Sequence, residues 1–157
     1  MADNIEIIYL DIGKKGQDIH NQSLKNLLTY ARKSYTLASR LCKQERFDAT
    51  LCWSYPAIGI GYILKKRFAI PYITLLRGSD VPYYEQKWKR LDRYIFRWLA
   101  PILWRNSQHV MANSQKLRDM ALAIVPSQEI GIIENGVDTE FYSPDVTHRD
   151  TSVFRIL

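Results

Sequence analysis

The stretch FDATLCWSYPAIGIGYILKKRFAIPYITLL, Phe47 to Leu76, reads as strand, helix, strand. Its two ends, FDATLCW and PYITLL, are short apolar runs of strand length. Between them PAIGIGYILKKRF has helix length, with Pro56 near the first turn, where a missing backbone N–H does no harm. This is the repeating unit of a parallel α/β layer rather than of a bundle or a sandwich.

The same alternation extends both ways. Upstream, IEIIYL (Ile5–Leu10) is an Ile-rich run fit for a buried strand, and DIGKKGQDIHNQS is a polar, glycine-containing loop. Ser23 is placed to cap a long helix, because Leu24, Leu27, Leu28, Ala31, Ala38, Leu41 and Cys42 recur at helical spacing. Downstream come a long helix over EQKWKRLDRYIFRWLAPILWRN, a strand HVMAN, a helix SQKLRDMALAIV and a strand EIGIIE. Five strands alternating with helices predict an α/β fold, a doubly wound, mainly parallel sheet. NGVDTEFYSPDVTHRDTS reads as a linker, and VFRIL after it as the start of a further strand. The expected division is 1–144 for one domain and 145–157 for a linker and the first strand of another.

Apolar residues make up 46% of the 157, enough to fill a core of about one domain. No apolar run reaches the roughly 18 residues of a membrane span, and MADNIEII has no signal pattern, so a cytoplasmic protein is expected. Cys42 and Cys52 share no metal or redox spacing and read as free buried thiols. A net charge of +6 suits anionic partners in general, but no recognised nucleic-acid motif accompanies it, and no nucleic-acid partner is expected.

In parallel sheets ligands meet the carboxyl ends of the strands. The residues just past the strand ends here are Trp53-Ser54, Arg77-Gly78-Ser79-Asp80, Asn113-Ser114 and Glu134-Asn135-Gly136. For Arg77 to Asp80 two readings stand. In one, Gly78 lets backbone approach a ligand and Arg77 offers a forked donor to phosphate or sugar oxygens. In the other, Gly78 makes a turn, Ser79 or Asp80 caps the next segment and Arg77 is solvated. Ser114 reads as a helix cap and Asn135-Gly136 as a turn.

Other motifs do not hold. Gly59-Ile60-Gly61 starts like a dinucleotide fingerprint, but Leu64 stands at the third glycine position, and close helix packing explains the pair better. There is neither a Walker loop nor a G-x-S-x-G elbow. His20, His109 and His148 have no ligand spacing, so neither a metal nor a cofactor is expected.

The segment from Glu85 to Arg105 carries Lys87, Lys89, Arg90, Arg93, Arg97 and Arg105 against Glu85 and Asp92. Trp88, Leu91, Ile95, Trp98 and Ile102 form a stripe at spacings of three and four, and Pro101 is expected to kink or shorten the helix. In the plainer reading the stripe packs on the sheet and the cations face water. In the sharper one the helix lies on an anionic membrane, with Lys89, Arg90, Arg93 and Arg97 drawn to headgroups at roughly 1 kcal/mol each. Trp88, Trp98, Trp104 and Tyr94 then sit at the interface, with Tyr83 and Tyr84 just before the helix.

Taken in order, FDATLCWSYPAIGIGYILKKRFAIPYITLLRGSDVP, WRNSQHVMANSQKLRD and IGIIENGVDTEFYSP closely resemble the N-terminal domain of glycosyltransferase family 4. The resemblance runs from about Phe47 to Pro144. It implies a Rossmann-like half of a two-lobed GT-B fold, incomplete at both ends, from enzymes that move a sugar from a nucleotide-sugar to an acceptor with retention of configuration. It sets Arg77, Gly78, Ser79 and Asp80 on the family's H-G-S-D-type loop, with Arg77 where many members have His. It sets Ala112-Asn113-Ser114 on the A-N-S element and Asn135 to Asp138 on the N-G-V-D crossing into the second lobe, with Glu134 where Pro is usual. The implied acceptor cleft is Trp53, Ser54, Arg77, Gly78, Ser79, Asp80, Asn113 and Ser114, and the implied hinge is Asn135 and Gly136. The family's glycine-rich loop and its donor-holding G-R-x-x-x-x-K-G and E-x7-E segments have no match here, and no catalytic residue is assigned.

The resulting expectation is part of a transferase acting on a glycan, lipid-linked or polysaccharide acceptor, peripheral at the inner face of a membrane and inactive as this chain alone. Nucleotide-sugar and acceptor are then partners only of a complete two-lobed enzyme. The rival is a non-enzymatic binding or membrane-docking module of the same fold. An open sheet edge is a self-association site in either case.

Overall fold

A computed structural model describes residues 5–11, 23–86 and 89–142. Its elements keep the alternation. Helix α1 (Leu24–Gln44) leads to β1 (Thr50–Trp53), α2 (Tyr55–Phe68) and β2 (Tyr72–Leu76). A short α3 (Lys89–Leu91) runs through a π-helical turn (Asp92–Phe96) into α4 (Arg97–Asn106). Strand β3 (His109–Ala112), α5 (Gln115–Ile124) and β4 (Gly131–Ile132) complete the series. The strands form one sheet in the order β1-β2-β3-β4, every pair parallel, with Thr50 beside Tyr72, Ile73 beside His109 and Met111 beside Gly131.

Side chains alternate across this sheet as strand geometry requires. Cys52, Tyr72, Thr74, Leu76, Val110 and Ala112 are buried. All but Thr74 join Tyr55 and Ile58 of α2, Leu103 and Trp104 of α4, and Leu117 and Ala121 of α5 in one apolar core. On the other face Leu51 and Trp53 are about half exposed, and Ile73, Leu75 and Met111 are partly open. Polar ties hold the end of α4 to the sheet, among them the Tyr72 hydroxyl donating to the carbonyl of Leu103 and Thr74 Oγ1 donating to Ser107 Oγ at 3.0 Å. Gly61 lets α2 sit close to the strands, since a Cβ there would lie 2.7 Å from Cys52 Sγ and 3.1 Å from Tyr72 Cβ. Gly59, by contrast, faces open space.

Several expectations change. IEIIYL is not a strand: no neighbouring strand among the described residues pairs with it, and Ile5, Ile7, Ile8 and Tyr9 are exposed. The described sheet therefore has four strands rather than five. Ser23 does cap α1, accepting from the Asn26 N–H at 3.3 Å, but no residue of α1 is fully buried, and Leu24 and Leu28 point to solvent. Pro101 lies inside its helix and does not cut it short, since the helix continues to Asn106.

The largest change concerns the stripe of Trp88, Leu91, Ile95, Trp98 and Ile102. Ile95, Trp98 and Ile102 are exposed, whereas Asp92, Ala100, Leu103 and Trp104 are buried and Phe96 packs against the core. Positions 92, 96, 100 and 104, each four apart and so on one side of the segment, face inward. Of the plainer reading, the packing of the stripe on the sheet is thus overturned for Ile95, Trp98 and Ile102, while Lys89, Arg90, Arg93, Arg97 and Arg105 do face water. The linker and strand expected over 145–157, most of the loop over 11–23, and Lys87 and Trp88 lie outside the described residues.

Candidate functional site

The four strand ends meet at one edge of the sheet. Arg77, Asn113, Glu134, Asn135 and Gly136 line an open cavity of about 200 Å³ together with the apolar Leu75, Met111 and Ile133. Trp53, at the end of β1, stands beside it with the Arg77 guanidinium over its indole at 6.0 Å. Ser54 comes next in a left-handed conformation (φ 72°), and its hydroxyl makes no capping bond to α2.

The loop after β2 is held from within. Asp80 is only 2% exposed, and its carboxylate accepts from the Arg77 N–H at 2.9 and 3.0 Å and from the Gly78 N–H at 2.8 Å. Gly78 has φ 146°, a conformation that favours glycine, and a Cβ on it would stand 2.8 Å from the Tyr84 ring. Burial pushes the Asp80 carboxyl above the ordinary carboxylate range, while the backbone amides of Arg77, Gly78, Asp80 and Ser54 pull the other way and do not fully offset it. Asp80 therefore fixes the turn that carries Arg77, and the Ser79 side of the loop faces solvent.

A second buried carboxylate went unread in the sequence. Asp92, in the π turn, accepts from the Tyr83 N–H at 2.9 Å and so ties the far end of the same loop, where Tyr83 has φ 69°. Burial also raises its pKa, the Tyr83 bond lowers it, and nearby Glu85 adds to the rise. Within reach of both acids lies Tyr55, stacked on Phe96 at 4.1 Å, its hydroxyl buried without a hydrogen-bond partner. Burial first, then the charges of Asp92 and Asp80, push this phenol well above its usual value. The signal for Asp92 was the four-residue spacing from it to Phe96, Ala100 and Trp104, masked because a carboxylate breaks an apolar stripe.

At β3 the Asn113 N–H donates to the carbonyl of Leu76 at 3.2 Å, and Ser114 caps α5 by accepting from the Leu117 N–H at 3.4 Å. Asn135 and Gly136 are exposed and lie outside any helix or strand. Cys42 and Cys52 are free thiols, and burial pushes Cys52 up to about 11, which keeps it protonated and unreactive at neutral pH. Among the described residues no group of three His, Cys, Asp or Glu side chains is placed to hold a metal ion.

No curated protein matches the chain. The family model described as Glycosyltransferase Family 4 matches residues 15–141, which takes in all of the sheet and the helices packed on it. With its parallel α/β layer and its loops gathered at the carboxyl edge, the chain belongs to glycosyltransferase family 4.

Proposed function

We propose that the chain supplies the acceptor-side lobe of a glycosyltransferase that moves a sugar from a nucleotide-sugar to a glycan, lipid-linked or polysaccharide acceptor in the cytoplasm. The supporting observation is the rim of Arg77, Asn113 and Asn135 around the cavity at the strand ends, with Trp53 beside it. Arg77 offers five donors in a fixed fork, Asn113 and Asn135 supply amides, and the exposed Trp53 ring gives a pyranose an apolar surface to lie on. Asn135 and Gly136 serve as the crossing to a second lobe.

The 157-residue chain alone does not turn over in this reading. A cavity of about 200 Å³ that opens to solvent falls short of the roughly 300–1,000 Å³ of sites that enclose small ligands. It cannot exclude water from, and align, both a nucleotide-sugar and an acceptor. The test is to add oligosaccharides and nucleotide-sugars to the isotope-labelled chain. Amide shifts at Gly78, Asn113 and Gly136 with oligosaccharide, without release of nucleotide, are expected. Formation of a glycosylated product would overturn the inactivity, and silence of these amides towards every saccharide would overturn the acceptor-side role.

A further inference from the structure

The outer face of the segment from Lys89 to Arg105 combines two features that seldom share a surface. Tyr94 is 72%, Trp98 69% and Ile102 51% exposed, and they stand four residues apart on one ridge with Arg90 at its head. Lys89, Arg93 and Arg97 form a parallel exposed ridge at the same spacing, and Arg105 lies beyond. The Arg97 guanidinium rests over the Trp98 ring at 5.9 Å. The one acid in the segment, Asp92, is buried and engaged with the Tyr83 N–H, so no carboxylate reaches this surface from the helix itself. Tyr83 and Tyr84, exposed in the adjoining loop, add to the aromatic content.

A folded chain has no internal reason to leave these aromatics in water, because its core is filled by the opposite side of the same helix. Cations interleaved with Trp and Tyr on a convex helix suit a soft anionic surface: the rings settle among headgroups while the cations meet phosphates. Among the described residues no helix is long and apolar enough to cross a membrane, so contact would lie along the surface. We propose that this face is a peripheral docking surface for an anionic phospholipid bilayer, with Tyr94, Trp98 and Ile102 entering the headgroup layer and Lys89, Arg90, Arg93, Arg97 and Arg105 pairing with lipid phosphates. The buried Trp104 takes no part. The inference stands apart from any donor or acceptor assignment.

The experiment is flotation of the whole chain with vesicles of phosphatidylcholine alone or with about one-third phosphatidylglycerol. Binding to the anionic vesicles only, weakening as salt rises, is expected. Arg93→Gln with Arg97→Gln is expected to lower the partition coefficient about 25-fold, some 5-fold per cation. Tyr94→Ser with Trp98→Ser, which leaves every charge in place, is expected to lower it about 10-fold or more. Arg32→Gln with Lys43→Gln, on α1, removes the same charge elsewhere and is expected to change it far less. Equal binding to neutral vesicles, equal loss from the α1 pair, or no loss from either helix pair would overturn the proposal. So would a dimer that needs Trp98 in a chain without affinity for vesicles, which would give the face to a second copy. Should the serine pair lower the unfolding midpoint, the glutamine pairs alone decide.

Discussion

The loop after β2 and the helix beyond it are inverted with respect to each other. The loop is held by carboxylates turned inward: Asp80 within it and Asp92 of the π turn are each 2% exposed and hold backbone amides at its two ends. On the helix some of the apolar groups are outside, with Trp98, Tyr94 and Ile102 in solvent. The loop shows carboxylates used as internal struts, which satisfy backbone donors although burial costs the carboxyls more than those bonds return. The helix shows the converse, with Tyr94 and Trp98 exposed on the side away from the core. Residue type alone gives the wrong side of the surface in both places.

The widest test of this contrast uses two tryptophans on one helix. Trp104 is fully buried in the core, and Trp104→Ala is expected to lower the unfolding free energy by about 3–5 kcal/mol in urea titrations. Next in size, Asp80→Ala leaves the amides of Arg77 and Gly78 without partners, at about 1–3 kcal/mol each. A change below about 1 kcal/mol would mean that water replaces the carboxylate and that the loop is not held as described.

Asp92→Asn keeps an acceptor for Tyr83 and is expected to cost less, about 1 kcal/mol, while altering the pH response. Both carboxyls have folded-state pKa values raised chiefly by burial, so in the window above the ordinary value of about 4 the folded chain holds more protons than the unfolded one. Stability then falls as pH rises through that window and is greater below it, the reverse of a salt-bridged carboxylate. Unfolding midpoints measured across it should decline with pH in the native chain and decline less in Asp92→Asn. A rise would contradict the burial of both acids. Smallest of all, Trp98→Ser is expected to stay within about 0.5 kcal/mol of the native chain. A loss approaching that of Trp104→Ala would erase the comparison and place Trp98 in the core.

Much of the layer was legible because strand and helix lengths alternate so regularly from Phe47 onward. The cap residues Ser23 and Ser114 and the close approach at Gly61 were readable from residue type and spacing. IEIIYL misled because an apolar run says that a strand can form, not that a neighbour is there to bond it. The stripe of Trp88, Leu91, Ile95, Trp98 and Ile102 misled because spacing shows which residues share a side and not which side faces the sheet: Ile95, Trp98 and Ile102 are exposed, while Phe96, Ala100, Leu103 and Trp104 meet the core. At the strand ends the sequence named the groups that gather at the cavity, Arg77, Asn113, Asn135 and Gly136. It left Asp80 with two roles open, and the inward bonds of its carboxylate depend on a turn geometry that residue type does not specify.

Each described strand lies beside the one made just before it, so Tyr72 finds Thr50, His109 finds Ile73 and Gly131 finds Met111 already in place. None of the four has to slip between two others. A chain emerging from its amino end can lay the sheet down rung by rung, each closure spanning only the intervening helical connection, which keeps the entropy of closure low. The last rung, Gly131–Ile132, is two residues long and among the described residues has a partner on one side only. Amide exchange should begin at that rung and move back through β3, so that the sheet comes apart in the reverse of the order in which it was made.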